Sequence, residues 1–483
     1  MNKYALLVIS LLAILFSSCH KDDALFSEGF VGDYGGENYN EIEENPFINT
    51  ADEAVSTFSI DADGASYSNV RRFINDNTLP VKDAVRTEEL INYFPMDYPE
   101  PTGVDPISLN GEVSLCPWSP EHKLIRIGIK GKSIPAAELP ASNIVLLIDV
   151  SGSMDSPDKL DLLKQGFNLL VDEFDADDKI AIVTYASSPG VALQPTSGDQ
   201  KSTIKAAINA LGAGGSTAGA GGITSAYDLA AANFIEGGNN RVIMGTDGDF
   251  NVGISSQDDL IELIEEKRDL GIFLTVLGVG TGNYNEGTME QIANHGNGTF
   301  EYIDNLDQAR KVFVQEFQKF YTVAKDVKVQ VAFNPDIVEQ YRLIGYENRL
   351  LENEEFENDT TDAGEIGASQ TITALYEIVP TTNPNYLVVP TFNIDFRYKM
   401  PDEDTSIPLA LEVKDEGNSF SNASENMRFA ASAASFGLLL RDSDFAGNTS
   451  HDAIISWANS ARTFDPFGFR QGFVDLVERA KTL

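Results

Sequence analysis

The stretch "NIVLLIDVSGSM" (residues 143–154) joins an apolar strand to a turn rich in oxygen-bearing side chains. Five apolar residues precede Asp149, and Ser151 and Ser153 follow it at alternate positions. A continuous apolar run that ends in a polar turn is typical of a strand buried on both faces of a parallel sheet. Because ligands bind beyond the carboxyl ends of such strands, these three side chains are candidate ligand-binding groups.

The alternation of apolar strand and amphipathic helix continues beyond this stretch. Strands are predicted at residues 144–148, 179–185, 241–244, 272–279 and 299–303. Helices are predicted between them, at residues 158–174, 200–211, 219–235, 256–270 and 287–294, with a further helix at 306–322. This order predicts an α/β fold, a doubly wound, mostly parallel sheet with helices on both faces.

The segments on either side of this unit have the period-2 pattern of antiparallel strands. Because connections are short and the ends of a domain lie close together, we expect residues 105–135 and 325–415 to form one β module with the α/β domain inserted. Helical patterns at 424–440, 452–461 and 467–481 close the chain, and two shorter ones lie between Thr57 and Pro99.

The N-terminus has the pattern of a secretory signal peptide over residues 1–18, with Lys3, an apolar run over 5–16 and small residues before Cys19. The apolar run is too short to span a bilayer, which needs about 20 residues. Ser17-Ser18-Cys19 resembles a bacterial lipobox, which implies that Cys19 is lipidated and that the protein is an exported outer membrane lipoprotein. An ordinary cleaved signal is the alternative.

The residues after Cys19 begin with a lysine followed by acids, which resembles the surface-export tag of Bacteroidetes lipoproteins. The periplasmic and the outer face of the membrane both remain open, and contact with the membrane is expected through the lipid alone. We expect residues 19–50 to be an acidic flexible tether because they are rich in Gly, Asn and acids without a lasting period. The remaining predicted units are an N-terminal block (51–140), the α/β domain (141–322) and a C-terminal β-rich and helical extension (323–483).

The composition excludes some classes of partner. Acidic residues outnumber basic ones 74 to 34, which gives a formal charge of −40. Binding to nucleic acid phosphates needs Lys and Arg, so a nucleic-acid partner is not expected. Beyond Cys19 the chain has one cysteine, Cys116, which cannot form an internal disulfide and is expected to be packed in the core.

Five oxygen-bearing side chains stand where the predicted sheet edge should bring them together. Asp149, Ser151 and Ser153 follow the first strand, Thr217 lies in the loop "GAGGSTAGAGG" (212–222), and Asp247 follows the strand "RVIMGT" (241–246). Two carboxylates and three hydroxyls, without His or Cys, form a set of hard oxygen ligands. Such a set favours Mg²⁺ or Ca²⁺, with Mn²⁺ as a further choice, over zinc or copper.

This pattern resembles the metal-ion-dependent adhesion site of von Willebrand factor type A domains. The five residues match that motif one by one, and the resemblance covers residues 145–322. The wider chain, with "FSIDADGASYSNVRR" (58–72) and "IRIGIKG" (125–131), is similar to a family of bacterial lipoproteins with such a domain. The resemblance implies a weakly held ion that leaves one coordination position to a Glu or Asp of a protein partner.

Three functions remain open from the sequence. The first is cation-dependent binding or adhesion to an acidic protein ligand, without catalysis. The second is a metal-independent envelope scaffold or assembly factor, whose contacts would be carried by the N-terminal block. The third is a metal-dependent hydrolase, for which Asp249 is the one nearby acid not already assigned, although general acid–base catalysis needs a group positioned for proton transfer.

Overall fold

The structure is a computed structural model that describes residues 36–61, 63–187, 189–215, 219–248 and 257–483. Its strands are β1 (Ile48–Asn49), β2 (Val55–Ser59), β3 (Ile107–Leu115), β4 (Lys123–Gly131), β5 (Ser142–Asp149), β6 (Lys179–Tyr185), β7 (Gly190–Ser197), β8 (Asn239–Thr246), β9 (Ile272–Val279), β10 (Phe300–Ile303), β11 (Thr322–Phe333), β12 (Val338–Ile344), β13 (Gly364–Gly367), β14 (Thr371–Pro380), β15 (Pro390–Lys399) and β16 (Ile407–Lys414). Its α-helices are α1 (Ala65–Asn75), α2 (Thr87–Asn92), α3 (Leu160–Leu170), α4 (Lys201–Asn209), α5 (Gly219–Ala232), α6 (Gln257–Asp269), α7 (Glu286–His295), α8 (Leu306–Arg310), α9 (Glu425–Leu440), α10 (His451–Asn459) and α11 (Phe469–Ala480). The predicted signal peptide and Cys19 lie outside the described residues.

The α/β domain is built on a sheet with the strand order β10-β9-β8-β5-β6-β7, in which every pairing except β6–β7 is parallel. Strand β5 lies inside this sheet, and its side chains alternate between two cores. Ile144, Leu146 and Ile148 pack on one face with α3 and α4, whereas Val145 and Leu147 pack on the other with α5, α6 and α7. Burial on both faces explains the unbroken apolar sequence, and the predicted α/β class is confirmed.

Two antiparallel sheets form a β-sandwich beside this domain. One has the order β1-β12-β14-β4-β3, and the other has the order β13-β11-β15-β16 with β2 added to β11. The rings of Phe333 and Tyr341 stack between the sheets with centroids 4.2 Å apart. Strand β4, before the α/β domain, pairs with β14, after it, from Lys123–Ile378 to Lys130–Thr371. The predicted insertion of the α/β domain into one β module is therefore confirmed.

A helical layer covers the outer face of the first antiparallel sheet. It is built from helices of both the N-terminal block and the C-terminal extension. Helices α1 and α2 pack against α9 and α11, and Phe94 contacts Phe429 and Phe473 with ring centroids 4.9 and 5.5 Å away. The N-terminal block therefore shares its sheets and its helical core with the C-terminal extension. Cys116 is buried in this layer, as expected.

The prediction of a flexible tether over residues 19–50 is wrong for its described part, residues 36–50. Strand β1 pairs with β12, and Tyr39 is 1% exposed. Glu37 forms an ion pair of 2.8 Å with Arg72 of α1, and Tyr39 donates a hydrogen bond to Glu37. Glu37, one of the acids that suggest a solvated segment, is here the partner of a largely buried arginine.

Two further predictions differ from the structure in the α/β domain. Strand β7 is absent from the predicted elements because it is an exposed edge strand that contains Pro195. The helix predicted over 306–322 is interrupted: α8 ends at Arg310, a π-helical turn covers Lys311–Gln315, and a 3₁₀ turn covers Phe317–Phe320. Of the helices in the described ranges, none combines the length and the apolar character needed to cross a bilayer.

Glu88 of α2 gives a prediction for stability. The side chain is fully buried, and neither carboxylate oxygen has a hydrogen-bond donor within the described part of the chain. Burial, reinforced by the negative charge of Glu347, raises the pKa of Glu88 to about 8. The unfolded chain ionises this group at a lower pH than the folded chain, so its contribution to stability falls as pH rises from about 4.5 to 8.

We therefore expect Glu88→Gln to raise the free energy of unfolding by about 1–3 kcal/mol at pH 8 and to change it little at pH 5. Urea denaturation at both pH values measures the difference. Glu354→Gln, on the exposed turn before β13, is the matched control and should have no effect at either pH. Equal effects of Glu88→Gln at both pH values would contradict the prediction.

Candidate metal site

Two carboxylates meet at the carboxyl edge of the parallel sheet because their strands are neighbours. Asp149 is the last residue of β5, and Asp247 directly follows β8. The two strands pair in parallel, with Ile148 opposite Gly245, so both acids leave the sheet at the same edge. Both side chains are fully buried.

The turn after β5 places two hydroxyls beside these acids. The backbone N–H of Ser151 donates to Asp149 Oδ1 at 2.8 Å, which folds the turn back on the carboxylate. A 3₁₀ turn over Gly152–Met154 then brings the Ser151 and Ser153 hydroxyl oxygens to 3.0 Å from each other. Ser151 is 1% exposed whereas Ser153 is open to solvent, so the pair lines a path from the buried acid outward.

The two carboxylates have opposite electrostatic environments. Burial, together with the nearby charge of Asp247, raises the pKa of Asp149 to about 6. Its Oδ2 atom is buried without a hydrogen-bond donor among the described residues. Burial alone would also raise the pKa of Asp247, but hydrogen bonds from Lys159, Asn283 and Ser153 outweigh it and hold that pKa below its usual range.

The glycine-rich loop reaches the same edge through its described start. The Gly214 N–H donates to the Val150 carbonyl at 2.8 Å, and the Gly152 N–H donates to the Gly215 carbonyl at 3.0 Å. A Cβ atom at residue 152 would lie 3.2 Å from that carbonyl, so the close approach of the two loops favours glycine. Thr217, the fifth predicted ligand, lies outside the described residues, as does Asp249.

Lys159 and Asn283 belong to the site although neither is among the residues predicted from the sequence. Lys159 Nζ lies 2.9 Å from Asp247 Oδ2 and 3.1 Å from Asn283 Oδ1. One sequence signal is available for the lysine, since it is the residue that precedes helix α3. A cation is electrostatically unfavourable at a helix N-terminus, so a lysine there suggests a specific acidic partner.

The residues present fit a divalent ion of the hard class. Asp149, Ser151, Ser153 and Asp247 offer carboxylate and hydroxyl oxygens, and one buried carboxylate oxygen has no donor. In the described ranges, no three Asp, Glu, His or Cys side chains form a group suited to a metal, so a site here depends on the hydroxyls as well as the acids. Such a set suits Mg²⁺, Ca²⁺ or Mn²⁺, and a bound ion would supply an electrophilic centre.

Comparison with known proteins identifies the family. The family model of the von Willebrand factor type A domain matches residues 143–318, and the model named "Uncharacterized protein YfbK, C-terminal" matches residues 318–391 and 389–483. A further von Willebrand factor model matches residues 33–126. "Uncharacterized protein YfbK" of Escherichia coli (strain K12) is 42% identical over 470 residues, which cover 92% of this chain and 81% of the relative. The chain belongs to the YfbK family.

Other similarities extend over less of the chain or are weaker. "Uncharacterized protein sll0103" of Synechocystis sp. is 27% identical over 205 residues, which cover 42% of this chain and 47% of the relative. A solved von Willebrand factor type A structure from Catenulispora acidiphila is 16% identical with a TM-score of 0.44, covering 78% of this chain and 90% of that one. Domains of this type commonly mediate protein–protein interaction and often hold a divalent metal, which gives this YfbK-family member a general role in interaction.

Met154 anchors the turn that carries both hydroxyls, and its side chain is fully buried in the core beneath the turn. We expect Met154→Ala to lower the free energy of unfolding by about 2–5 kcal/mol, because it leaves a cavity under the turn. Chemical denaturation followed by circular dichroism measures this loss. Val104→Ala, at a side chain that is 98% exposed, should stay within about 0.5 kcal/mol of the wild type. A similarly small effect of Met154→Ala would mean that the turn is held from elsewhere.

Proposed function

We propose that this protein is a membrane-anchored lipoprotein that binds an acidic protein ligand through a divalent cation. Mg²⁺ or Ca²⁺, with Mn²⁺ as a further choice, would be held by Asp149, Ser151, Ser153, Thr217 and Asp247. The observation that supports this most directly is the meeting of two buried carboxylates and two hydroxyls at one sheet edge. A bound ion offers an electrophilic position that a Glu or Asp of the partner would occupy.

The charge of the protein makes a cation necessary for this kind of ligand. A body with a formal charge of −40 repels an acidic partner at long range. Physiological salt screens that repulsion beyond about 8 Å, whereas an ion at the contact acts over a few ångströms. We therefore propose that recognition depends on the ion and that partner specificity comes from the loops around it.

The two alternative functions receive less support from the site. A scaffold that works through a separate N-terminal block is hard to reconcile with strands β3 and β4, which pair within the β-sandwich. A hydrolase needs a base positioned for proton transfer, and the two described acids of the site, Asp149 and Asp247, are already assigned to the ion in this proposal. We propose interaction and not catalysis.

Metal-dependent recognition can be tested without knowing the natural partner. A peptide array in which each Glu-containing peptide has a Gln twin is probed with the full chain in Mg²⁺, in Ca²⁺ and in EDTA. We expect binding only to Glu peptides and only with the metal, and at least a tenfold loss in Asp149→Asn. Asp155→Asn, an exposed acid in the same loop, is the control and should bind as the wild type does.

The same variants give a direct measure of the site by titration calorimetry with each metal ion. Metal binding that is equal in Asp149→Asn and the wild type would place the ion elsewhere. Peptide binding that persists in EDTA would contradict a cation-dependent mechanism altogether.

Anchoring through Cys19 is a separate part of the proposal. Residues 36–50 pack on the body, so the described part of the predicted tether belongs to the folded protein. We expect Cys19→Ser in the full-length chain to move the protein from the membrane fraction to the soluble fraction, since a single protein-attached lipid would be the anchor. Cys116→Ser, at the buried cysteine, is the control and should leave fractionation unchanged. Membrane retention of the Cys19→Ser protein would exclude a lipid anchor at this residue.

A further inference from the structure

Lys159 is the fixed positive charge beside the candidate metal site. Its ammonium lies 2.9 Å from Asp247 Oδ2 and 3.1 Å from Asn283 Oδ1. The lysine side chain is 10% exposed and the aspartate side chain is fully buried. An ion pair this well buried is screened much less by salt than a surface pair.

The surrounding backbone restricts the position of the Lys159 side chain. Its methylene stem lies across Gly280, where an added Cβ atom would come within 2.4 Å of the lysine Cγ and Cε. Gly280 has a φ of +71°, and its carbonyl accepts a hydrogen bond of 2.8 Å from the buried hydroxyl of Tyr302. The lysine therefore lies in a channel shaped by the loop after β9.

The buried charges at the site do not cancel. Asp149 and Asp247 contribute −2, and Lys159 returns +1, which leaves −1 among the buried described groups. Asp155 and Asp158 belong to the same loop but are exposed and screened by solvent. A divalent ion would therefore produce a net charge of +1 with the lysine and of zero without it.

We propose that Lys159 is a resident counter-charge that lowers the affinity of the site for its divalent ion. Because the lysine leaves the loaded site with a net positive charge, it also increases the affinity of the bound ion for an acidic ligand. This inference rests on the proposed function, because it assigns a role at the same site. Lys159 is a specificity-determining residue that acts through Asp247 and is not itself a ligand of the metal.

A purely structural role for Lys159 makes the opposite prediction. If the lysine only held Asp247 in place, its removal would misplace a metal ligand and reduce affinity for the ion. If the lysine is a counter-charge, its removal increases that affinity. The sign of the change in metal affinity therefore separates the two roles.

The experiment uses the full chain and three variants. Lys159→Gln removes the charge but keeps a hydrogen-bond donor, and Lys159→Met removes both. Lys164→Met is the matched control, because Lys164 lies one turn into helix α3, which Lys159 precedes, and its partners are Asp161 and the Leu211 carbonyl. Calorimetry gives the dissociation constants for Mg²⁺ and Ca²⁺ without any partner, and thermal unfolding is followed in EDTA and in each metal.

We expect Lys159→Gln and Lys159→Met each to bind metal at least tenfold more tightly than the wild type, since the repulsion between two nearby cations is removed. Both should melt at a lower temperature than the wild type in EDTA, because Asp247 loses its counter-charge, and should gain more from added metal. Lys164→Met should match the wild type in metal affinity, in melting temperature in EDTA and in the rise in melting temperature on addition of metal. Metal-saturated Lys159→Gln should bind the Glu peptides more weakly than the wild type.

The outcomes keep the two proposals apart. If the wild type binds metal and both Lys159 variants bind it with equal or lower affinity, the counter-charge role is overturned and the proposed function stands. Metal binding that appears only in the Lys159 variants supports the counter-charge and contradicts the proposed function at physiological ion levels. Absence of metal binding from all the proteins overturns both.

Discussion

Two carboxylates that are buried side by side at the ends of neighbouring parallel strands must be compensated, and the surrounding residues are arranged to do so. A buried charge without a partner is costly, and two like charges are more so. At Asp149 the compensation is a backbone N–H from the following turn, and at Asp247 it is an ammonium held against a glycine. The edge of the sheet therefore carries buried negative charge that its described partners compensate only in part.

The hydrogen bonds that support this edge of the sheet extend to residues near the start of the described chain. The Gly282 N–H donates to Glu37 Oε1, and the Asn38 N–H donates to the Tyr284 carbonyl. Asn283, between these two anchor points, holds the ammonium beside Asp247. The segment that precedes the β-sandwich thus supports the loop that positions the charges of the site.

Local signals in the sequence predict much of this arrangement. The parts that the sequence does not predict depend on long-range contacts. The apolar run before Asp149 indicates a central strand, and the two acids are recognisable because each directly follows a strand, with Ser151 and Ser153 in the turn after the first. The contact between Lys159 and Asp247 spans 88 residues and depends on how α3 is rotated over the loop after β9, which no local pattern encodes. Glu37 and Tyr39 look like parts of a solvated segment because their partner, Arg72, is recognisable only in the folded protein.

The two connections of the inserted domain leave it at the same point, where the hydroxyls of Ser142 at the start of β5 and Tyr321 next to β11 lie 3.0 Å apart. A domain whose entrance and exit coincide places little strain on its host when its interior or its distant loops change. Substitution, lengthening or replacement of those loops can therefore accumulate during evolution while the surrounding sandwich stays as it is. The layout separates the supporting sandwich from the loops at the far edge of the inserted sheet.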